Sequence, residues 1–290
     1  MAIAYNPMRT ALYTPETQDT VFGSGKDYSP VQLAVEGARL AYYRAEESPH
    51  QMQRLTAALA EAGFAPPRMF IDNITGAAGF ASLRPSTNTA LIALRGTQPD
   101  DIADIAHDLE AALLETPGFA GRVHAGFASQ TRALLRDIRS WISDNKVNAR
   151  SVILTGHSLG AAIATLAASV LTPEWLVTLG SPRVGDRNFL NTVKATNIRR
   201  IVDCCDVVTR VPPPIGGYDH LKTRTYITAA GQILADPEQS VVDADRLKAR
   251  EDYIAHYAWK LGAVLSRDLA DHAPVNYLRA FFDDSGQSAP

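Results

Sequence analysis

Residues 151–173 (SVILTGHSLGAAIATLAASVLTP) contain no Asp, Glu, Lys or Arg. A run of that length can cross a bilayer as one helix. Here Gly156, His157 and Gly160 interrupt it, and its opening VILT is rich in β-branched residues that favour strands. The run therefore reads as a buried strand, a tight turn and a buried helix. A strand that is apolar on both faces belongs inside a parallel sheet with helices on each side.

The rest of the chain alternates in the same way. Helices are expected over 33–44, 51–62, 102–114, 127–143, 161–170 and 244–267, and strands over 68–73, 90–95, 152–155, 175–179, 198–203 and 223–228. This alternation predicts an α/β fold with a central, mostly parallel sheet. No repeat or charge block divides the 290 residues, so residues 1–290 read as one domain. Lysine plus arginine at 28 against aspartate plus glutamate at 31, with no basic cluster, argues against a nucleic-acid partner. The two cysteines, Cys204 and Cys205, are adjacent; they close no loop, make no metal site by themselves, and read as small buried side chains. The opening MAIAYNPMRT lacks the basic and apolar parts of a secretory leader, which makes the cytoplasm the default compartment, with export by a signal-less route as the other option.

A bare G-x-S-x-G occurs by chance in about one chain of this length in ten. Gly156-His157-Ser158-Leu159-Gly160 carries more meaning because it sits at a strand-to-helix junction. A serine on such a turn is lifted clear of the backbone, the glycines remove Cβ atoms that would clash, and the helix aims its free N–H groups at developing negative charge. Ser158 is thus the candidate nucleophile, with the Leu159 amide as an oxyanion donor.

A serine hydroxyl needs an imidazole to take its proton and a carboxylate to orient that imidazole. In the α/β-hydrolase order the acid follows the serine and the histidine comes last. Asp206, just past the apolar strand 198–202, is favoured over Asp203, which could instead pair with Arg199 or Arg200. Of the seven histidines, His220, His256 and His272 follow the acid. His256 falls within the expected helix, His220 in a loop soon after the acid, and His272 in a loop before Pro274; His272 is favoured, with His220 as its competitor.

Six ordered blocks resemble the class 3, fungal-type lipase family: LRGTQ at 94–98, VHAGF at 123–127, GHSLGAAIATLAA at 156–168, GSPRVGDRNF at 180–189, RRIVDCCDVVTRVPP at 199–213 and DHAPVNYL at 271–278. The similarity covers roughly residues 85–280 and implies the α/β-hydrolase fold and hydrolysis of triacylglycerol or phospholipid esters, at a membrane or emulsion surface, without metal or organic cofactor; the alternative readings are a small-ester esterase or acyltransferase with the same site, or a non-catalytic binding protein of this fold. It implies Ser158 as nucleophile, Asp206 as acid and His272 as base. Thr97, after the Arg-Gly pair, would give a second oxyanion donor. Residues 99–114, with apolar positions at 102, 105, 109 and 113, would form a lid; their acidic face is equally that of an ordinary surface helix. His124 reads as structural. Secreted members of the family carry leaders and disulfides that this chain lacks, its residues to about 85 match less well, and the helix expected at 244–267 is an insertion before the base.

Overall fold

The computed structural model describes residues 3–96, 113–221 and 223–282. Helices α1 (Arg9–Tyr13), α2 (Pro30–Leu40) and α3 (Pro49–Glu61) come first, followed by strands β1 (Arg68–Ile71), β2 (Ala78–Arg84) and β3 (Thr89–Leu94). A small antiparallel ribbon, β4 (Leu113–Glu115) with β5 (Arg122–His124), leads into the long helix α4 (Ala125–Asp144). Then come β6 (Val152–His157), α5 (Leu159–Leu171), β7 (Trp175–Leu179), α6 (Arg187–Leu190), β8 (Asn197–Asp203), β9 (Thr225–Ile227) and β10 (Ile233–Ala235). Helices α7 (Gln239–His256), α8 (Arg267–Ala270) and α9 (Pro274–Leu278) close the described chain.

The main sheet has the order β1-β2-β3-β6-β7-β8-β9-β10, parallel from β3 to β9 and antiparallel at both edges. Strand alternation sorts its apolar residues between two cores. Leu91, Ala93, Ile153, Val177, Leu179 and Ile201 face α2, α3 and Tyr277. Ala90, Ile92, Leu94, Val152, Leu154 and Leu176 face α4 and α5. Each fully buried Leu or Ile contributes about 1.5–3 kcal/mol, so the central strands are held firmly from both sides. Helix α2 begins cleanly because Ser29 and Gln32 cap each other's backbone N–H groups and Pro30 occupies the first turn. The expected α/β architecture is present, with its parallel strands where the sequence places them.

Three expectations change. Strand β2, between turns at 72–77 and 85–88, was missed because AGFASLR is rich in small residues and has no β-branched side chain. Leu113 and Leu114 belong to β4, paired with His124 and Val123, rather than to the end of a helix; residues 99–112 of the expected lid lie outside the described residues. The helix expected to reach 267 ends at His256. There the chain turns back to pair with the N-terminal segment: Val264 N–H donates to the Pro7 carbonyl and Arg9 N–H to that of Gly262, whose φ of +83° suits glycine alone. Among the described residues no helix is long and apolar enough to cross a membrane.

Candidate active site

Ser158 occupies the single residue between β6 and α5, at φ +57° and ψ −125°. That conformation is strained for a residue with a Cβ and costs about 1–3 kcal/mol. Packing enforces it. A Cβ on Gly156 would stand 2.3 Å from the Gly160 carbonyl carbon, and one on Gly160 would stand 2.0 Å from the Leu94 oxygen, so β6, α5 and β3 meet at van der Waals contact only through these glycines. The Ser158 amide donates to the Leu179 carbonyl (2.9 Å), which ties the turn to β7. Leu159 opens α5, where first-turn N–H groups have no preceding turn to bond.

Ser158 Oγ lies 2.9 Å from His272 Nε2. On the other side of the ring, Nδ1 is 2.9 Å and 3.0 Å from the two carboxylate oxygens of Asp206. All three side chains are buried. His272 sits in the connection between α8 and α9, and Asp206 lies three residues beyond the end of β8. The structure thus brings together the serine, acid and histidine favoured on sequence grounds.

The competitors are engaged elsewhere. Asp203 receives both terminal nitrogens of Arg279, not Arg199 or Arg200, in a fully buried pair. His220 Nε2 donates to the Thr209 carbonyl (2.7 Å); burial and the neighbouring Arg200 and Arg183 hold its pKa well below the usual histidine value, so it stays neutral. His256 ends α7, exposed and bonded to the Asp252 carbonyl. His124 caps α4 through the Phe127 amide and stacks on the Phe127 ring, in keeping with a structural role.

Three residues around the site escaped the sequence reading. Tyr277 donates to Asp206 Oδ2 at 2.5 Å, and the Val208 amide donates to Oδ1 at 2.9 Å, so the carboxylate reaches His272 already oriented. Burial and the adjacent Asp206 push the Tyr277 phenol well above its ordinary value and keep it a donor. His157 lies against the His272 ring, with centroids 4.5 Å apart. A carbonyl can only accept, so His157 Nε2 carries the proton it donates to the His272 carbonyl (2.8 Å), while Nδ1 accepts from the Tyr42 hydroxyl (2.8 Å). Tyr42 in turn accepts from the Gly96 amide. Burial, and then the neighbouring His272, hold the His157 pKa far below the usual value. The tyrosine in the block 271–278 was visible in the sequence as a spacing signal; Tyr42, more than a hundred residues from its partner, had none.

Gly96 passes beside the serine: a Cβ there would lie 3.2 Å from the Ser158 Cβ and 2.2 Å from the Tyr42 oxygen. Thr97 lies outside the described residues. Cys204, Cys205 and Asp271 each bring one donor atom within 4.8 Å of the others. Those atoms are already committed, since Asp271 pairs with Arg267 and the Cys204 thiol bonds Asp245.

Residues 91–215 match the family model for class 3 lipases. The chain is 32% identical to a lipase of Rhizomucor miehei over 49% of its own length and 43% of that protein. It is 39% identical to secreted mono- and diacylglycerol lipase 1 of Fusarium solani over 34% of its length and 32% of that relative. It therefore spans less than half the length of these curated relatives. Among solved structures, the Rhizomucor miehei triacylglyceride lipase superposes with a TM-score of 0.63 at 21% identity, covering 86% of this chain and 95% of that one; the shared architecture is the α/β-hydrolase fold. The expectation of a cytoplasmic location is corrected by these relatives, of which the Fusarium protein is a secreted enzyme; ten opening residues were too little to assign a compartment. The matched segment, less than half of the chain, holds the GHSLG turn and the Asp206 block within the fold of the fungal enzymes, and over it the chain is similar to the class 3 lipases.

Proposed function

We propose that this chain is a serine hydrolase of glycerolipid esters that works at a lipid surface and acts after export. The observation that carries the reading is the unbroken line Ser158 Oγ, His272 Nε2, His272 Nδ1, Asp206, with each step at 2.9–3.0 Å. Ser158 attacks the ester carbonyl while His272 takes its proton at Nε2. Asp206 holds Nδ1–H and stabilises the imidazolium that results. The alkoxide of the tetrahedral intermediate accepts from the Leu159 amide and from the backbone N–H of Thr97, each donor lowering the barrier by about 3 kcal/mol. His272 then protonates the departing glyceryl oxygen, and the acyl group remains on Ser158. Water repeats the sequence and releases the fatty acid.

The steps use these side chains, the two backbone N–H groups and water.

Ser158→Ala and His272→Ala should each lose hydrolysis of p-nitrophenyl esters and of a glyceride emulsion by at least about a thousandfold. His220→Ala should keep most of the activity of the folded protein. A fluorophosphonate probe should label Ser158 in the unmodified chain and nothing in Ser158→Ala. Retained turnover in Ser158→Ala, or loss confined to His220→Ala, overturns the assignment.

A further inference from the structure

The last turn of α7 and the segment after it turn four large apolar side chains outward within twelve residues: Ile254 is 68% exposed, Trp259 73%, Leu261 98% and Leu265 76%. Soluble surfaces carry single exposed apolar residues routinely but seldom gather them so densely. The base of the segment is well packed. Ala263 and Val264 are buried, Val264 and Gly262 bond to the N-terminal residues Pro7 and Arg9, and the Tyr253 hydroxyl donates to the Val264 carbonyl at 2.8 Å. A rigid foot therefore presents an apolar tip.

Two further features indicate what covers that tip. Residues 253–267 contain no Asp or Glu, in a chain whose net charge is −3. The cation exposed there, Lys260, stands over the Tyr257 ring at 4.8 Å and 6.0 Å from that of Trp259. An acid-free tip with a lysine beside aromatic rings complements an anionic headgroup layer, with the ammonium among the phosphates and the rings beneath. The Trp259 indole N–H already donates to the Ala255 carbonyl at 3.1 Å, so entering hydrocarbon strands no donor.

We propose that residues 254–265 form a docking tip that seats in the surface of a phospholipid layer and holds the enzyme there. The inference rests on the reading of the site as one for lipid esters and adds where the surface is gripped. Leu265 lies seven residues before His272, and α8 is the one short helix between them, so the grip and the base share a continuous piece of chain.

The test uses the full chain carrying Ser158→Ala, so that the vesicles survive, sedimented with vesicles of phosphatidylcholine alone or mixed with phosphatidylglycerol. The triple variant Trp259→Ser, Leu261→Ser and Leu265→Ser, made in the same background, should bind on the order of a hundredfold more weakly. Lys260→Ala should lose the preference for the mixed vesicles. In the Ser158 form, the triple variant should hydrolyse a soluble short-chain p-nitrophenyl ester at the normal rate and an emulsion poorly. Unchanged sedimentation of the triple variant, or no sedimentation of the parent, overturns the docking tip. So does a dimer in solution that the triple variant dissolves, since the tip's partner would then be a second copy. Failure of the unmodified chain to hydrolyse the soluble ester would instead sink the enzymatic reading and leave the binding result standing.

Discussion

Asp203 and Asp206 are three positions apart at the end of one strand, both with no exposure to solvent, and the fold uses them in opposite ways. Asp203 is locked against Arg279, a group that keeps its charge at every relevant pH. Asp206 faces an imidazole, a phenol and an amide, and of these the imidazole can take up and return a proton. Burial and position do not distinguish the two carboxylates. What separates them is whether the partner can change charge. A carboxylate bound to a fixed cation holds structure; one bound to a titratable ring prepares that ring for chemistry.

The largest predicted effects test this contrast directly. Asp206→Asn should fold normally and lose turnover by about four orders of magnitude, because an amide no longer enforces the tautomer with Nδ1–H and no longer stabilises the imidazolium. Asp203→Asn should do the reverse. It leaves the Arg279 guanidinium buried without its counter-charge, which costs about 3–5 kcal/mol of stability, while each molecule that remains folded turns over nearly as before. Denaturant melts alongside turnover per folded molecule separate the two. Large losses of both properties in both variants would show that the strand end acts as one inseparable unit.

Tyr277 sharpens the comparison, because its ring lies between the two acids: its hydroxyl donates to Asp206 and accepts the Asp203 amide at 3.3 Å. Tyr277→Phe removes a charge-assisted bond that shares the negative charge of Asp206. The freed carboxylate then holds the imidazolium more tightly, so the acid limb of the pH–rate profile should move to higher pH. The looser carboxylate should also lower kcat, by about tenfold, with KM little changed. A fall in kcat with an unmoved acid limb would make Tyr277 a packing residue and nothing more.

How much of this was legible depended on whether the information was local. The elbow was, since strand, glycines, serine and helix follow one another within twenty residues and each obeys its own propensity. The alternating cores of the parallel strands were too, because a strand buried on both faces leaves an uninterrupted apolar run. The choice of Asp206 over Asp203 came from its place just past the apolar strand, with the resemblance in support, and nothing in the sequence pointed to Arg279, rather than Arg199 or Arg200, as the partner of Asp203, seventy-six residues away. The contact from Tyr42 to His157 spans one hundred and fifteen residues and is made between the short turn Ala41–Tyr43 that follows α2 and the end of β6. No spacing rule reaches that far. The end of α7 at His256 was illegible for a related reason: the sequence after it remains compatible with helix, and pairing with residues 7–9 decides otherwise.

The smallest effect carries the contrast over to the histidines. His272 bonds a carboxylate, whereas His220 bonds the Thr209 carbonyl, which cannot titrate, among the like charges of Arg200 and Arg183. An unfolded chain protonates His220 near its ordinary value of about 6.5, and the native state holds that group well below it. Below about pH 6.5 the unfolded chain therefore binds a proton that the folded one refuses. Stability falls as pH drops, by about 1.4 kcal/mol per pH unit for this group, and above that pH the group contributes no slope. His157, held neutral by burial, adds a slope of the same sign. His220→Gln keeps a donor for the Thr209 carbonyl and cannot take the proton. Its unfolding free energy, followed by urea melts from about pH 7 down to 5, should lose one such increment of slope and leave that of His157 in place. An unchanged slope would mean that His220 is protonated in the folded protein, and that a bond to a fixed carbonyl does not keep a buried histidine neutral here.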